Sequence, residues 1–291
     1  DSYEVDPTQF SGTVLVAEDV EGNQRLMTLM LSKLGLDVVI AENGQQVVEK
    51  ALAQSFDMIL MDMQMPLMNG YEATRLLKQQ GYKAPILALT ANAMKGDERA
   101  CIEAGCDGFL AKPIDRSELT RVLARYMPAT MNTKTRAVGS DPAQVPVVEA
   151  MGAGQSVLEA QSREPKNGDV RKIINWDRLI ERMGDEETIR EIMPVYTKDI
   201  QGHSDKLSQA IKNGDFDSMV YHAHALKGVG RNLSIEHLAD IASQIEKAGR
   251  ENELEAGTLL FNDLKSEVDN VVAVLSQCDW TETVSCVPTR L

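Results

Sequence analysis

The stretch MILMDMQMP, residues 58–66, is apolar for four residues before Asp62 and ends at Pro66. Its strand is predicted over Asp57–Met61, and four similar apolar runs occur at Thr13–Ala17, Asp37–Ala41, Pro85–Leu89 and Gly108–Ala111. Short, almost continuously apolar runs are typical of parallel strands buried on both faces. Helical patterns lie between them, near 22–34, 44–54, 70–80, 96–104 and 115–127, with Asn43 and Asp115 as candidate N-caps. This alternation predicts an α/β fold with a doubly wound, five-stranded parallel sheet over residues 11–128.

The C-terminal part of the chain has a different pattern, which predicts an all-α antiparallel bundle over residues 171–277. Helical periodicity recurs at Trp176–Met183, Glu186–Ile211, Asp215–Asn232, Ile235–Gly249 and Leu254–Ser276. Pro194 lies inside the second pattern, where we expect a kink or the start of a new helix. Residues 129–170 are rich in small and polar residues, which predicts a flexible linker. A transient helix over residues 147–160 is an alternative for part of that linker. Residues 278–291 predict an irregular tail.

Composition excludes several classes of protein. The net charge of −14 argues against direct binding to nucleic acid or to anionic membrane surfaces. The sequence has no run of about 18 apolar residues, so we expect no membrane contact by this segment. Its four cysteines include no CxxC pair, which argues against a zinc site and favours reduced thiols. Because the first residue is Asp, we expect a processed chain or a fragment of a longer one.

Polar side chains gather where the predicted strands end. Glu18 and Asp19 follow the first strand and Asp62 the third, while Thr90 ends the fourth and Lys112 follows the fifth. The carboxyl ends of parallel strands meet at one edge of the sheet. Three converging carboxylates with no His or Cys favour Mg²⁺ or Mn²⁺. This predicts phosphoryl transfer to a carboxylate, with Asp62 as nucleophile and Lys112 and Thr90 stabilising charge on the phosphoryl oxygens.

With these motifs at these spacings, segment 11–128 closely resembles the receiver domain of response regulators. The resemblance implies a flavodoxin-like strand order, phosphorylation of Asp62, and Mg²⁺ held by Glu18, Asp19, Asp62 and the backbone carbonyl of Gln64. It further implies that Thr90 and Lys112 contact the phosphoryl group, and that Phe109 is the switch aromatic, the ring that rotates as Thr90 moves. Gly70 would lie in the loop after Asp62, and the small side chain of Ala91 would leave the site open to a partner. Val20 and Asn69 depart from the family pattern, which we expect to tune the site. The segment FSGTVLVAED with Asn23-Gln24 resembles receivers attached to hybrid sensor kinases.

Four histidines occur, at positions 203, 222, 224 and 237. His222 and His224 are two residues apart and point to different sides of a helix, so they cannot share a metal ion. Helical spacing places one set of residues on a single face: Tyr221, His224, Lys227, Gly228 and Arg231. On that face we expect an exposed His224 with a cation beside it and, at Gly228, room for the backbone of another protein.

The string AHALKG, residues 223–228, inside a helical bundle resembles the histidine phosphotransfer (HPt) domain, over about 172–277. The resemblance implies that His224 is phosphorylated, with Lys227 and Gly228 in matching positions, and that His222 is structural. Arg231 stands where the family usually has a small residue. It could crowd the docking surface or add a cation for phosphate, since arginine pairs well with phosphate oxygens.

Together the two resemblances imply a phosphorelay segment from the C-terminal end of a hybrid sensor histidine kinase. Asp62 would accept a phosphoryl group from an upstream kinase histidine, in the same parent polypeptide, and His224 would pass it to the aspartate of a separate response regulator. This segment shows no ATP-binding glycine-rich motif, so we expect kinase activity to lie upstream of residue 1. We further expect a monomer in the cytoplasm. The alternatives are a partner-binding module that carries no phosphate and a Mg²⁺-dependent aspartyl phosphatase, which would need an Asp where Gln64 stands.

Overall fold

The computed structural model describes residues 10–90, 95–127 and 173–276. Its first part contains a five-stranded parallel sheet in the order β2-β1-β3-β4-β5. The strands are β1 (Thr13–Ala17), β2 (Asp37–Ala41), β3 (Met58–Asp62), β4 (Ile86–Thr90) and β5 (Gly108–Ala111). All residues of β3 and β4 are buried, as the apolar runs predict for central strands covered on both faces. The predicted doubly wound α/β fold with its flavodoxin-like strand order is confirmed.

Five helices connect or follow these strands: α1 (Glu21–Lys33), α2 (Gly44–Ala53), α3 (Gly70–Gln79), α4 (Lys95–Ala104) and α5 (Arg116–Tyr126). Asn43 caps α2 by accepting a hydrogen bond from the Gln46 amide at 3.0 Å. Asp115 caps α5 in the same way, through the amides of Ser117 and Glu118. Helix α1 begins differently, because its N-cap residue is Val20 and no side chain of its own caps it.

The register of the sheet places the polar strand ends together. Strands β3 and β4 each end one residue later than the sequence pattern predicts, so Asp62 and Thr90 are the last residues of their strands. Asp62 pairs with Leu89 across the β3–β4 ladder, and Thr90 pairs with Ala111 across the β4–β5 ladder. Ladder hydrogen bonds thus fix the backbone at the edge where the acidic residues lie.

The C-terminal part is a bundle of four long helices with a short helix before them. These are α6 (Trp176–Met183), α7 (Glu186–Asn213), α8 (Phe216–Asn232), α9 (Glu236–Arg250) and α10 (Leu254–Ser276). Helices α7, α8, α9 and α10 pack in a closed ring, each against the next, and α10 against α7. Gly184 and Gly214 end α6 and α7 with φ values of +87° and +65°, which glycine adopts without strain. The predicted all-α bundle is confirmed.

Helix α7 continues through Pro194. The sequence-based alternative of a new helix starting there is wrong. A proline inside a helix leaves out one amide hydrogen bond, and the buried residues on both sides of it, Ile192, Met193 and Tyr196, provide the packing that keeps the helix continuous.

The described residues of the sheet domain and of the bundle belong to one compact unit. Helix α1 packs against α7, and α5 makes a smaller contact with α6. Within the described residues, no helix is both long enough and apolar enough to cross a bilayer. Several sequence-based predictions lie outside the described residues: Ala91, the linker 129–170 with its helix at 147–160, and the tail 278–291 with both of its cysteines.

Two glycines of α8 give a matched test of the bundle packing. A Cβ atom at Gly230 would lie 2.9 Å from the backbone nitrogen of Ala239 in α9, whereas a Cβ at Gly228 would meet nothing within 4 Å. We expect Gly230→Ala to lower the free energy of unfolding by about 1–3 kcal/mol through overpacking. Gly228→Ala should raise it by up to about 1 kcal/mol, because alanine favours the helix. Urea unfolding measures both variants, and equal stabilities would contradict the close α8–α9 approach.

Candidate functional site

Three carboxylates meet at the carboxyl edge of the sheet. Glu18 and Asp19 directly follow β1, Asp62 ends β3, and one oxygen from each lies within 4.8 Å of the others. The Lys112 ammonium lies among them, with Nζ 2.5 Å from Asp62 Oδ2 and 2.7 Å from Glu18 Oε2. Glu18 and Asp62 are buried, with 1% and 4% of their surface exposed. The strand ends therefore bring three acids and one base into a small, largely desolvated space.

Burial and mutual repulsion make this cluster electrostatically unfavourable. Burial and the charge of Asp62 raise the pKa of Glu18, although Lys112 opposes the shift. Burial and the neighbouring charges of Glu18 and Asp62 raise the pKa of Asp19 to about 7. Burial lowers the pKa of Lys112, but the two carboxylates beside it outweigh this effect and the net shift is upward. One ammonium does not neutralise three carboxylates, so the cluster suits a divalent cation, and its all-oxygen donor set is the kind that Mg²⁺ prefers.

The remaining residues predicted for this site lie around the cluster. The backbone amide of Gln64 donates to Asp62 Oδ1 at 3.0 Å, which orients that carboxylate. Gly70 allows close packing there, because a Cβ atom on it would lie 2.3 Å from the Asp62 carbonyl oxygen. Thr90 is buried at the end of β4. Phe109 is 38% exposed and lines a separate groove with Cys106 and Tyr126.

Residues of α8 face the acidic cluster across a narrow cleft. The cleft has a volume of about 20 Å³, room for about one water molecule. Glu18, Asp19, Asp62 and Lys112 line it from the sheet domain, and the residues of the predicted helix face line it from the bundle: Tyr221, His224, Lys227, Gly228 and Arg231. Burial and the charge of the Asp19 carboxylate raise the pKa of the Tyr221 hydroxyl. The structure thus brings the two sets of sequence-predicted residues to one place.

Glu246 in α9 holds the cleft histidine and is the main site residue that sequence reasoning missed. Its Oε1 lies 3.1 Å from His224 Nδ1 and 2.6 Å from Arg250, and its Oε2 lies 2.5 Å from the Lys227 ammonium. Burial acts to raise the pKa of Glu246, but the hydrogen bonds and charges of His224 and Lys227 outweigh it and hold that pKa well below its usual range. The sequence contains one signal for this role. Glu246 is an acid that follows Ala242 by one turn, so it lies on the buried face of α9, where a charged side chain needs a partner.

His224 is less exposed than the sequence pattern predicts. Its side chain is 14% exposed, because the sheet domain packs over this face of α8. Lys227 is buried as well, and its ammonium pairs with Glu246. Nothing lies within 4 Å of a Cβ placed on Gly228, so the clearance expected there remains when the sheet domain is docked.

His222 lies in a different environment from His224. Its Nδ1 is 3.1 Å from Nδ1 of His203, and the two rings pack with Tyr221. Burial lowers the pKa of both histidines to about 4, which leaves them uncharged at neutral pH.

Comparison with known proteins identifies both parts of the chain. The response regulator receiver domain model matches residues 14–124, and the Hpt domain model matches residues 191–274. Hybrid signal transduction histidine kinase G of Dictyostelium discoideum is 43% identical over 123 residues, covering 40% of this chain and 4% of that protein. Signal transduction histidine-protein kinase BarA of Escherichia coli (strain K12) is 36% identical over 127 residues, covering 43% of this chain and 14% of that protein.

Among solved structures, the receiver domain of a sensor histidine kinase from Pseudomonas aeruginosa PAO1 is 42% identical. The match covers 40% of this chain and 97% of that one, with a TM-score of 0.38. That structure has a magnesium ion coordinated in its active site cleft. The present chain thus matches only a small part of the length of the kinases it resembles.

The buried charge network predicts a large effect of substitution at Glu246. Glu246→Gln keeps the shape but removes the charge that neutralises Lys227 and Arg250. We expect the free energy of unfolding at pH 7 to fall by about 3 kcal/mol, the scale for breaking a buried ion pair. The exposed Asp240 on the same helix gives a matched control, and Asp240→Asn should change stability by less than about 0.5 kcal/mol.

The pH dependence of that difference follows from the lowered pKa of Glu246. A carboxylate whose pKa in the folded chain lies below its ordinary value of 4.5 contributes fully above pH 4.5. Its contribution decreases as the pH falls below that value, so the gap between the wild type and Glu246→Gln should narrow in acid. Urea unfolding at pH 7 and pH 4 measures this gap, and a gap that widens in acid would contradict the assigned network.

Proposed function

Because this chain joins a response regulator receiver domain to an Hpt domain, the pair that serves phosphorelay signal transduction, we propose that Asp62 accepts a phosphoryl group and passes it to His224. The observation that carries this proposal is the single cleft lined by Asp62 on one side and His224 on the other. The phosphoryl donor and the phosphoryl acceptor would then lie on the two walls of one cleft.

The chemistry of transfer follows from the contacts of the two side chains. The Asp62 carboxylate attacks the phosphorus of a kinase phosphohistidine, forming an acyl phosphate while the bond from phosphorus to the kinase nitrogen breaks. The imidazole of His224 then attacks the same phosphorus, and the Asp62 oxygen leaves as carboxylate. Glu246 accepts a hydrogen bond from His224 Nδ1, which favours the tautomer with the proton on Nδ1 and leaves the Nε2 lone pair free to attack.

Positive charge near the cleft would stabilise the phosphoryl oxygens in transit. Lys112 already contacts Asp62, and Thr90 ends the adjacent strand. Glu246 balances the positive charge that develops on the His224 ring when the new bond forms. We assign Phe109, which lies on β5 three residues before Lys112, the role of a side chain that moves with Thr90 on phosphorylation.

Glu18, Asp19, Asp62 and the carbonyl of Gln64 are the residues that would hold Mg²⁺ or Mn²⁺. A bound divalent cation supplies charge neutralisation for the phosphoryl oxygens and for the carboxylates around them. The protein's own contribution is to fix the carboxylates, which the Lys112 ion pairs and the Asn23–Glu18 hydrogen bond of 2.9 Å accomplish.

The upstream partner in this proposal is a histidine kinase domain of the parent polypeptide, and the downstream partner is the receiver domain of a separate response regulator. We place the segment in the cytoplasm as a monomer, with the kinase activity elsewhere in the parent protein.

Labelling with acetyl phosphate and Mg²⁺ tests the proposed route. Wild-type chain should form an acyl phosphate at Asp62 that is labile in base, followed by a phosphohistidine at His224 that is labile in acid. Asp62→Asn should form neither, whereas His224→Gln should accumulate only the acyl phosphate. His222→Gln, two residues away on the same helix, serves as the matched control and should relay normally. Acid-labile label in His224→Gln at the wild-type level would contradict the assignment of His224.

Arg231 lines the same cleft as Asp62 and His224, so we expect it to assist transfer as a cation. Arg231→Ala should slow the single-turnover transfer from Asp62 to His224 by up to about a hundredfold, the scale for losing one charge-stabilising contact. Its unfolding free energy should change by no more than about 1 kcal/mol. A faster transfer would show that Arg231 obstructs docking, and an unchanged rate would remove it from the mechanism.

A further inference from the structure

The first turn of α1 is completed by the other domain. Val20 provides no capping side chain, which leaves the first amides of α1 without the acceptor that a helix start normally has. The amide of Gly22 instead donates to Asp199 Oδ2 of α7, at 2.6 Å. An anionic acceptor also interacts favourably with the positive end of the helix dipole. Asp199 of the bundle therefore performs the capping that Val20 cannot.

Gly22 lets α1 approach the bundle closely. A Cβ atom at this position would lie 2.4 Å from Cδ1 and 2.5 Å from Cε1 of Tyr196, and 2.9 Å from the Asp199 carboxylate. The ring of Tyr196 is completely buried, so it has no open space into which it could retreat. Any side chain on α1 at this position would push the two domains apart.

A buried polar network lies beside Gly22. Asn23 Oδ1 accepts hydrogen bonds from the Tyr196 hydroxyl at 2.9 Å and from Asn232 Nδ2 at 2.7 Å. Asn23, Tyr196 and Asn232 are each at most 6% exposed. The Asn23 amide group donates in turn to Glu18 of the acidic cluster. A receiver domain with an apolar residue in place of Asn23 would leave the Tyr196 hydroxyl and the Asn232 amide without this acceptor.

We propose that Tyr196, Asp199 and Asn232 form a recognition site that selects the chain's own receiver domain by the Gly22-Asn23 pair at the start of α1. At the position of Gly22 the site has room only for a residue without a side chain. At the position of Asn23 it needs a side chain that accepts hydrogen bonds. This inference rests on the proposed function, because it concerns which receiver domain reaches His224. It also implies competition, since the docked receiver covers the face of α8 that a second receiver domain needs.

The other contacts between the domains are less selective. Ion pairs join Lys33 to Asp185 and Lys198 to Glu21, at 2.7 and 2.9 Å. Their side chains are partly or largely exposed, and exposed pairs contribute mainly to the rate of encounter and little to the discrimination between partners. Discrimination therefore depends on the buried contacts of Gly22 and Asn23.

Gly22→Ala tests the recognition site because it should change transfer within one chain and transfer between two chains in opposite directions. Within one chain, Gly22→Ala should slow transfer from Asp62 to His224 at least about tenfold, because the new methyl group prevents the receiver domain from docking. Transfer between chains uses His224→Gln, labelled at Asp62, as the donor and Asp62→Asn, which retains His224, as the recipient. Adding Gly22→Ala to the recipient alone should speed this transfer, because its own receiver domain no longer covers His224.

Gly202→Ala provides the matched control, because Gly202 lies on α7 and a Cβ placed on it would meet nothing within 4 Å. It should change neither rate. If Gly22→Ala leaves both rates unchanged, or slows both of them, the recognition site is wrong. Unfolding of the variant would slow both rates, so it is distinguished from the predicted result.

Hydrogen exchange tests docking without any phosphoryl chemistry. In the full chain, the amides of residues 20–24 should exchange at least about tenfold faster in Gly22→Ala than in wild type, while Gly202→Ala leaves them unchanged. If wild type fails to label His224 but Gly22→Ala still increases exchange, the proposed function is wrong and the recognition site stands. Unchanged exchange in Gly22→Ala would overturn the recognition site whatever the relay does.

Discussion

The contact between the start of α1 and helix α7 is the constraint on which the geometry of the cleft depends. Only Val20 separates Glu18 and Asp19 from α1, so the backbone that carries two of the three acids leads into the turn that touches Tyr196 and Asp199. Asn23 joins both sides, since its amide group donates to Glu18 while its oxygen accepts from Tyr196. A shift of α1 on α7 would therefore change the distance between the acidic cluster and His224.

Buried charge has a compensating partner on each side of the cleft. Lys112 contacts Glu18 and Asp62 in the receiver domain, and Glu246 contacts His224 and Lys227 in the Hpt domain. Removing charges from water is costly, so each group needs close partners of opposite sign. The two networks differ in net charge. The receiver side has more carboxylates than ammonium groups, whereas Glu246 is surrounded by basic side chains. Such a difference would suit the proposed passage of a phosphoryl group from Asp62 to His224.

Local patterns in the sequence predict the elements well, because each element depends on residues close together along the chain. The strand-end cluster follows from the fold class, because the carboxyl ends of parallel strands meet at one edge of the sheet. The apolar run before Asp62 and the caps Asn43 and Asp115 are local features, and the bounds of α6 and α10 agree with the periodicity to the residue. The sequence pattern at Pro194 is misleading in part, because packing on both sides of it keeps α7 continuous. The contacts of Glu246 were missed because a buried acid is recognised only once its partners on α8 are known. The docking of α1 on α7 joins residues more than 170 positions apart, and no periodicity in either segment encodes it.

The central claim is that the receiver domain delivers its phosphoryl group to the histidine of the same chain. The most direct test is the rate of transfer from labelled Asp62 to His224 in wild-type protein, measured over a thousandfold range of chain concentration. A docked receiver domain predicts a first-order rate that does not change on dilution. A rate that falls in proportion to concentration would show that transfer occurs between chains and would contradict the account.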